Sequence, residues 1–212
     1  MSMSTRTEIL IGPEGIEKLK DASVVLVGCG AVGGYALEGM VRAGIGRIRV
    51  YDHDVFSDSN LNRQILATTE TLGVRKVDAA CDRARIINPD IDIEGKDVLV
   101  NQDTVPEILS GDFDVLVDAI DTVRNKSALL RYACEKGIVT FSSMGAALHM
   151  DTQTIRIANL MKTDTCPIAA NLRKSLRDCD TSRITAVYSK EPPLVKPTEK
   201  DDHGKSVLGS LP

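Results

Sequence analysis

A glycine-rich segment near the start of the chain has the spacing of a phosphate-binding turn. Gly28, Gly30 and Gly33 form a Gly-x-Gly-x-x-Gly motif, whose backbone N–H groups can approach phosphate oxygens at a helix N-terminus. Asp52 follows at the distance expected of a residue that accepts hydrogen bonds from ribose hydroxyls, roughly 20 residues on. These residues predict nucleotide binding. The alternatives are glycines that serve only tight helix packing and a solvated aspartate at a strand end.

A set of polar and charged residues follows the glycine motif. It consists of Asp54, Asn60, Arg63, Gln64, Lys76 and Asp121. Hydride transfer has no need of such a set, but attack of a carboxylate on the α-phosphate of ATP requires cations for the departing pyrophosphate and an aspartate for Mg²⁺. Arg63 and Lys76 can supply the cations and Asp121 the metal ligand. Taken singly, each has an ordinary interpretation, such as a solvated lysine, a turn-forming asparagine or a capping aspartate.

Strand and helix patterns alternate around these residues. The predicted strands are residues 23–28, 46–52, 91–94, 97–100, 114–118 and 138–142, and the predicted helices are residues 34–43, 73–87 and 123–136. This alternation predicts an α/β, Rossmann-like, doubly wound and mostly parallel sheet with helices on both faces. The glycine motif then lies at the first strand-to-helix turn.

The pattern changes after residue 145. Residues 153–158 alternate like an exposed strand, and residues 167–177 are predicted to be helical. We therefore expect an ATP-binding domain of residues 1–145 and a small mixed β/α C-terminal extension, residues 146–188, that shares its core. Residues 189–212 combine charges with prolines, which favours a flexible segment. The way this segment ends suggests a truncated chain.

The composition argues against a disordered, collagen-like or low-complexity protein. The 212 residues are 42% hydrophobic and 26% charged, which is typical of a folded globular protein, and the formal net charge is -4. A nucleic-acid partner would therefore need a local basic patch. The candidates are Arg156, Lys162, Arg173, Lys174 and Arg177, for which a solvated helix face is the alternative. Aromatic residues make up only 3%, which disfavours base stacking as the main mode of binding.

The cysteines and the hydropathy pattern bear on metals and location. Five cysteines include no Cys-x-x-Cys pair, and the three histidines are scattered, so no zinc-site spacing is present. No segment has the length and apolar character needed to cross a bilayer. We therefore expect a cytoplasmic protein with reduced cysteines.

The motifs resemble those of the adenylating superfamily that contains ubiquitin-activating enzymes and the bacterial activators of molybdopterin and thiamin sulfur carriers. Their order and separations match across residues 6–145. The resemblance implies ATP and Mg²⁺ as cofactors. The implied nucleotide-binding set is Gly28, Gly30, Gly33, Asp52, Asp54, Asn60, Arg63, Gln64 and Lys76, and the implied catalytic set is Arg63, Lys76, Asp121 (with Mg²⁺) and Arg6. It also implies a homodimer in which Arg6 reaches the triphosphate bound by the neighbouring subunit.

Residues 151–164 and 167–173 are similar to one branch, the bacterial tRNA threonylcarbamoyladenosine dehydratases. The branch implies a tRNA substrate whose threonyl carboxylate attacks ATP to give an acyl-adenylate. The adjacent carbamoyl oxygen then closes a ring and expels AMP, with net loss of one water. The absence of paired Cys-x-x-Cys ligands and of a thioester cysteine domain agrees with this branch. Any sulfur or redox partner is left unidentified.

Three other functions stay open at this point: an adenylating activator of a small ubiquitin-like sulfur carrier, a non-catalytic nucleotide sensor or scaffold, and a nicotinamide dehydrogenase.

One departure from the dehydratase pattern is Cys166, which precedes Pro167 where an acidic residue is usual. A small buried cysteine is a better interpretation of this residue than a reactive one. A second departure is the absence of an apolar stretch after Gly209 and Ser210.

Overall fold

The computed structural model of the chain describes residues 3–145 and 147–192. Seven strands form one sheet. They are β1 (Ser23–Val27), β2 (Arg47–Asp52), β3 (Asp92–Asp97), β4 (Val115–Asp118), β5 (Thr140–Ser143), β6 (Ile155–Asn159) and β7 (Ile184–Ser189). The α-helices are α1 (Thr5–Asp21), α2 (Ala31–Ala43), α3 (Lys76–Ile87), α4 (Val105–Ile108), α5 (Val123–Glu135) and α6 (Pro167–Ser175).

The sheet has the strand order β3-β2-β1-β4-β5-β7-β6. Neighbouring strands run parallel except β6 and β7, which pair antiparallel. This confirms the predicted Rossmann-like, mostly parallel architecture with a mixed β/α C-terminal part. The chain moves from β1 to β2 on one side and places β4 on the other side of β1. The crevice beyond the carboxyl ends of β1 and β4 is therefore the topological switch point, where open α/β sheets bind ligands.

Both faces of the central sheet are covered, which explains the continuous apolar sequence of β1. Val24 and Leu26 pack with α2 and α3 in one core cluster. Val25 and Val27 pack with α4 and α5 in a second. A third cluster joins α5, α6 and β7 and includes the buried Cys166, as the buried interpretation of this cysteine predicts. The extension thus shares a helix of the central domain.

Two predicted elements are wrong in detail. Residues 97–100 are not a strand: β2 and β3 end together, with Asp52 paired to Asp97, so the chain beyond Asp97 has no neighbouring strand to pair with. The helix predicted from residue 73 begins at Lys76. Gly73 has φ +80°, which is outside the helical region and places it in a turn.

Three elements were not predicted: α1, the short α4 and β7. Helix α1 is kinked where Gly12 (φ +74°) precedes Pro13, and this break hides its helical periodicity. Strand β7 runs between β5 and β6 and places the predicted exposed strand, now β6, at the sheet edge. The segment predicted to be flexible from residue 189 overlaps the end of β7, and residues 193–212 lie outside the described residues. No helix in the described ranges is long and apolar enough to cross a membrane.

Candidate active site

The three glycines of the motif have different structural roles. Gly28 has φ +96°, and a Cβ there would lie 2.8 Å from the carbonyl oxygen of Ala119. A Cβ on Gly33 would lie 1.8 Å from the carbonyl oxygen of Gly28, so α2 packs too closely on the turn for any side chain. A Cβ on Gly30 would meet nothing within 4 Å. Gly28 and Gly33 are therefore required by the close packing of the turn. Gly30 faces open space, where a ligand can approach the backbone.

Three helices begin at the carboxyl edge of the parallel strands. The residue before each of them, Gly30 for α2, Arg75 for α3 and Thr122 for α5, makes no side-chain capping hydrogen bond. The first N–H groups of a helix have no partner within the helix. The open turn before α2 therefore offers backbone donors and a positive helix dipole to phosphate oxygens.

Asp52 ties the end of β2 to the glycine turn. Its Oδ2 accepts a hydrogen bond from the Cys29 N–H at 2.6 Å, and its Oδ1 accepts one from the Asp54 N–H at 2.9 Å. Each carboxylate oxygen has a second lone pair, so ribose hydroxyls can still bind there. Burial raises the pKa of the Cys29 thiol well above its usual value, which makes this cysteine a poor nucleophile.

Lys76 and Asp54 form an ion pair beside Asp52. Lys76 Nζ lies 2.9 Å from Asp54 Oδ2 and 5.8 Å from the ring centroid of Phe56. The lysine side chain is only 6% exposed, but that of Asp54 is 52% exposed. Lys76 is also the first residue of α3, where the helix dipole disfavours a cation. A lysine kept against this local preference is expected at a functional site.

The segment between β2 and α3 carries the other predicted phosphate contacts. The side-chain carbonyl of buried Asn60 accepts the Ser57 N–H at 3.1 Å. Arg63 donates to the carbonyl of Ser59 at 2.7 Å. Gln64 is buried, and its Oε1 has no hydrogen-bond partner among the described residues. The geometry thus fixes Asn60 through a turn and leaves an unpaired acceptor on Gln64.

Asp121 is exposed and lies in the turn between β4 and α5. The Thr122 hydroxyl donates to its Oδ1 at 3.2 Å, and within residues 3–145 and 147–192 no lysine, arginine or histidine forms an ion pair with it. A free carboxylate of this kind fits Mg²⁺, which commonly takes one or two carboxylates together with phosphate oxygens.

A second acidic group lies near the turn but fits a metal less well. Ligand atoms of Asp52, His53 and Asp54 lie within 4.8 Å of one another. Both oxygens of Asp52 already accept main-chain N–H groups, and Asp54 pairs with Lys76. Asp54 is thus already neutralised by a lysine, and the free lone pairs of Asp52 face the position of a ribose in our assignment. Asp121, which forms no ion pair with the described residues, is therefore the better candidate for the metal.

The structure does not bring all the predicted residues together. Arg6 is exposed on α1 and forms no hydrogen bond or ion pair with the described residues. In the predicted basic patch, Arg173 is half-buried and donates to Thr163 Oγ1 at 2.6 Å, which is a structural role. Lys174 and Arg177 are exposed and keep their charges available to a partner.

Sequence reasoning missed a buried cluster under the site. Lys126 Nζ lies 2.8 Å from Asp118 Oδ2, and Ser142 Oγ donates to the same oxygen at 2.7 Å. Side-chain exposure is 1% for Lys126 and 0% for Asp118. One signal was available in the sequence: Lys126 shares a helical stripe with the buried Leu129, Leu130 and Ala133, which is the face of the helix that packs on the core.

The ThiF family model matches residues 4–190. The chain belongs to the ThiF family. This ThiF-family chain is 35% identical over 192 residues to tRNA threonylcarbamoyladenosine dehydratase of Bacillus subtilis, an alignment that covers 90% of this chain and 76% of that protein. It is 43% identical over 111 residues to the sulfur carrier protein adenylyltransferase of Thermus thermophilus, covering 52% of this chain and 41% of that protein.

Solved structures give a comparable result for this ThiF-family fold. The crystal structure of Escherichia coli tRNA N6-threonylcarbamoyladenosine dehydratase in complex with ATP superposes with a TM-score of 0.88 at 32% identity. The match covers 97% of this chain and 84% of that chain. An alignment that covers 97% of this chain must include most of β6, α6 and β7. The likeness therefore includes the C-terminal extension as well as the nucleotide-binding half.

Proposed function

We propose that this protein is an ATP-dependent tRNA threonylcarbamoyladenosine dehydratase. The observation that carries the proposal is the extent of the likeness to the Escherichia coli dehydratase, which spans both the ATP-binding half and the extension. The likeness to the sulfur carrier adenylyltransferase of Thermus thermophilus is limited to about half of the chain. Such a role would place the protein in the cytoplasm, where its tRNA substrate is found.

Each part of the site has a role in the first half of the proposed reaction. The open turn at Gly30 and the first turn of α2 bind phosphate, and Asp52 accepts from the ribose. Lys76 and Arg63 neutralise charge on the departing pyrophosphate. Asp121 holds Mg²⁺, which when bound shields the charge of the triphosphate. The threonyl carboxylate attacks the α-phosphorus, the bond to the β-phosphate oxygen breaks, and pyrophosphate leaves.

The second half of the reaction needs little from the protein beyond positioning. The carbamoyl oxygen attacks the activated acyl carbon, the bond between that carbon and the AMP oxygen breaks, and a carbamoyl N–H proton is lost. One water is removed in total, its oxygen leaving on AMP. Intramolecular attack on an activated acyl group gains its rate from orientation. No cysteine or serine nucleophile is required, in agreement with the buried state of Cys29.

Exposed apolar surface supports a homodimer as part of this function. Ile9 and Leu10 on α1 are 83% and 85% exposed. Phe141 on β5 and Ile155 and Ile157 on β6 are also exposed, and the strand registers place them on the same face of the sheet. Apolar patches of this kind favour protein contacts. Arg6, one turn from Ile9 and Leu10, would then extend toward the site of the neighbouring subunit.

The direct test of the proposed function uses tRNA that carries threonylcarbamoyladenosine. The protein is incubated with this tRNA, ATP and Mg²⁺, and the digested nucleosides are weighed by mass spectrometry. ATP-dependent loss of one water is expected, and Asp121→Ala is expected to abolish it. The contrary result is a protein that binds ATP, leaves the tRNA unchanged and instead adenylates the C-terminal carboxylate of a sulfur carrier. That outcome establishes the second candidate function.

The role of Arg6 can be tested by mixing two inactive variants. Arg6→Ala lacks the arginine, and Asp121→Ala lacks the metal ligand. If Arg6 acts on the neighbouring subunit, mixed dimers contain one intact site, and about one quarter of wild-type activity returns because half of randomly formed dimers are mixed. If Arg6 acts within its own subunit, mixing restores nothing. If Arg6 has no role, the Arg6→Ala variant is active before any mixing.

Lys174 and Arg177 are exposed candidates for tRNA contacts in the extension, as are Arg156 and Lys162 of the same predicted patch. Reversing both charges, Lys174→Glu with Arg177→Glu, is expected to weaken tRNA binding and to lower its salt dependence. ATP binding should be unchanged in the same variant. Unaltered tRNA affinity would show that these residues form only a solvated helix face.

A further inference from the structure

The buried pair of Asp118 and Lys126 does more than cross-link the core. Lys126 Nζ donates to the carbonyl oxygen of Ile120 at 2.8 Å, in addition to its contact with Asp118. Ile120 directly precedes the proposed metal ligand Asp121. One ammonium group thus joins α5, the end of β4 and the turn that carries Asp121.

The main chain of this turn is held at every residue before Asp121. The Ala119 N–H donates to the Val27 carbonyl at 2.8 Å, and the Ala119 carbonyl lies against Gly28 without room for a Cβ. The Ile120 N–H donates to Asp118 Oδ1 at 3.3 Å. Lys126 supplies the partner of the remaining carbonyl, that of Ile120. The same contacts hold the turn against the glycine motif, so the two parts of the site are fixed relative to each other.

Stability alone is a poor explanation for this arrangement. The side chain of Lys126 lies on the apolar face of α5 that also carries Leu129 and Ala133. A leucine or methionine at this position would fill the space without desolvating a charge, and replacing buried ion pairs with apolar residues is often neutral or stabilising. What an apolar residue cannot do is donate to the Ile120 carbonyl. The donor is the property that distinguishes this lysine.

We propose that Lys126 is a positioning residue. It holds the main chain before Asp121 and thereby orients the carboxylate of Asp121 to bind the Mg²⁺ of Mg²⁺·ATP. The proposal rests on the proposed function in that it takes Asp121 as the Mg²⁺ ligand. Lys126 itself is buried, and its ammonium group bonds Asp118 and the Ile120 carbonyl. Its effect is therefore expected in the Mg²⁺ dependence of ATP binding, which can be measured without tRNA and without turnover.

The experiment compares ATP affinity with and without Mg²⁺ by isothermal titration. Lys126→Met alone leaves Asp118 buried without a cation, so the main variant is Asp118→Asn with Lys126→Met, which removes both charges and preserves shape. Wild-type protein is expected to bind ATP about tenfold more tightly with Mg²⁺, the size of one charge-assisted contact. The double variant and Asp121→Ala are expected to lose most of this tenfold gain.

A matched control separates positioning from stability. Ser142→Ala removes the hydroxyl that donates to Asp118 but leaves the bond from Lys126 to the Ile120 carbonyl. We expect a lower thermal midpoint with an unchanged Mg²⁺ gain. Lys126→Arg with native Asp118 keeps a cation and a main-chain donor, and is expected to retain part of the gain.

Each contrary result has a distinct meaning. A folded double variant that keeps the wild-type Mg²⁺ gain, while Asp121→Ala loses it, overturns the proposal. If Asp121→Ala also keeps the gain, Asp121 is not the ligand and the proposal fails with that assignment. If the double variant does not fold, the two single variants decide. Loss of the Mg²⁺ gain in Ser142→Ala, which keeps the bond from Lys126 to Ile120, overturns the proposal, whereas a full gain in Ser142→Ala with a reduced gain in Lys126→Arg supports it. Mg²⁺-dependent ATP binding without dehydration of tRNA would refute the proposed function and leave the test of Lys126 intact.

Discussion

Two buried lysines of this protein pair with aspartates at nearly the same distance but in opposite surroundings. Lys76 lies 2.9 Å from Asp54, and Lys126 lies 2.8 Å from Asp118. The side chain of Asp54 is 52% exposed, whereas that of Asp118 is 0% exposed. A lysine whose partner faces solvent can exchange that partner for phosphate. A lysine that is buried together with its partner cannot reach a ligand, and it acts only on the protein groups that it contacts.

The difference shows how one pair of residue types supplies either binding or positioning. The open pair, Lys76 with Asp54, loses little when a ligand oxygen replaces the solvated carboxylate. The sealed pair, Lys126 with Asp118, would leave a charge buried and unpaired if either member moved. We therefore expect the open pair to affect chemistry more than stability, and the sealed pair to affect both.

Breaking the sealed pair should give the largest change in stability. Lys126→Met leaves Asp118 charged in the core and is expected to lower the free energy of unfolding by about 3–5 kcal/mol. Urea denaturation followed by circular dichroism measures this change. The Asp118→Asn, Lys126→Met double variant should recover most of it, because no unpaired charge remains. A loss below about 1 kcal/mol in Lys126→Met would mean that water reaches Asp118 and that the pair is not sealed.

Breaking the open pair should act mainly on the reaction. Lys76→Met removes a cation placed for the departing pyrophosphate and is expected to slow adenylation about 10²-fold. Because Asp54 is half exposed, the free energy of unfolding should fall by only about 1 kcal/mol or less. Single-turnover release of pyrophosphate gives the rate, and denaturation gives the stability. An unchanged rate with weaker ATP binding would assign Lys76 to ground-state binding alone.

The sequence singled out both residues of the open pair as site residues, although not as partners, and it did not single out Lys126 of the sealed pair. Lys76, Asp54 and the glycine motif belong to a pattern whose order along the chain carries the chemistry. Lys126 belongs to no motif, and its partners come together only through the pairing of β4 with β5 and the docking of α5. Such a cluster depends on tertiary contacts that local spacing does not encode.

The fold shows the same division. The buried apolar sequences of β1 and β4 predict parallel strands, because their composition is imposed by burial on both faces. Strand β7 is part of the sheet only because it runs between β5 and β6, and its six residues, Ile184–Ser189, carry no distinctive flanking signal. The location of the ATP-binding edge was therefore predictable. The order in which the extension adds β7 and β6 beside β5 was not.

A third ion pair provides the smallest effect and a reference for the other two. Glu38 on α2 accepts two hydrogen bonds from Arg83 on α3, both at 2.9 Å, and also pairs with Arg42. The side chains of the two arginines are 42% and 56% exposed, and the group lies in the seam between two helices rather than at the proposed site. It should therefore stabilise the fold modestly and leave the reaction unaffected.

The pH dependence of this pair follows from the sign of its pKa shift. Hydrogen bonds from Arg83, followed by the bond from Arg42, hold the pKa of Glu38 below its ordinary value near 4.5. The ionised form is thus favoured by folding, so the stabilisation is present above pH 4.5 and disappears as the pH falls through the lower pKa of the folded state. Glu38→Gln is expected to lower the free energy of unfolding by about 1 kcal/mol at pH 7, with a difference that shrinks toward zero below the folded-state pKa. Urea denaturation across this range measures it, and adenylation should proceed at the wild-type rate. A difference that is independent of pH would mean that Glu38 acts through packing and not through its charge.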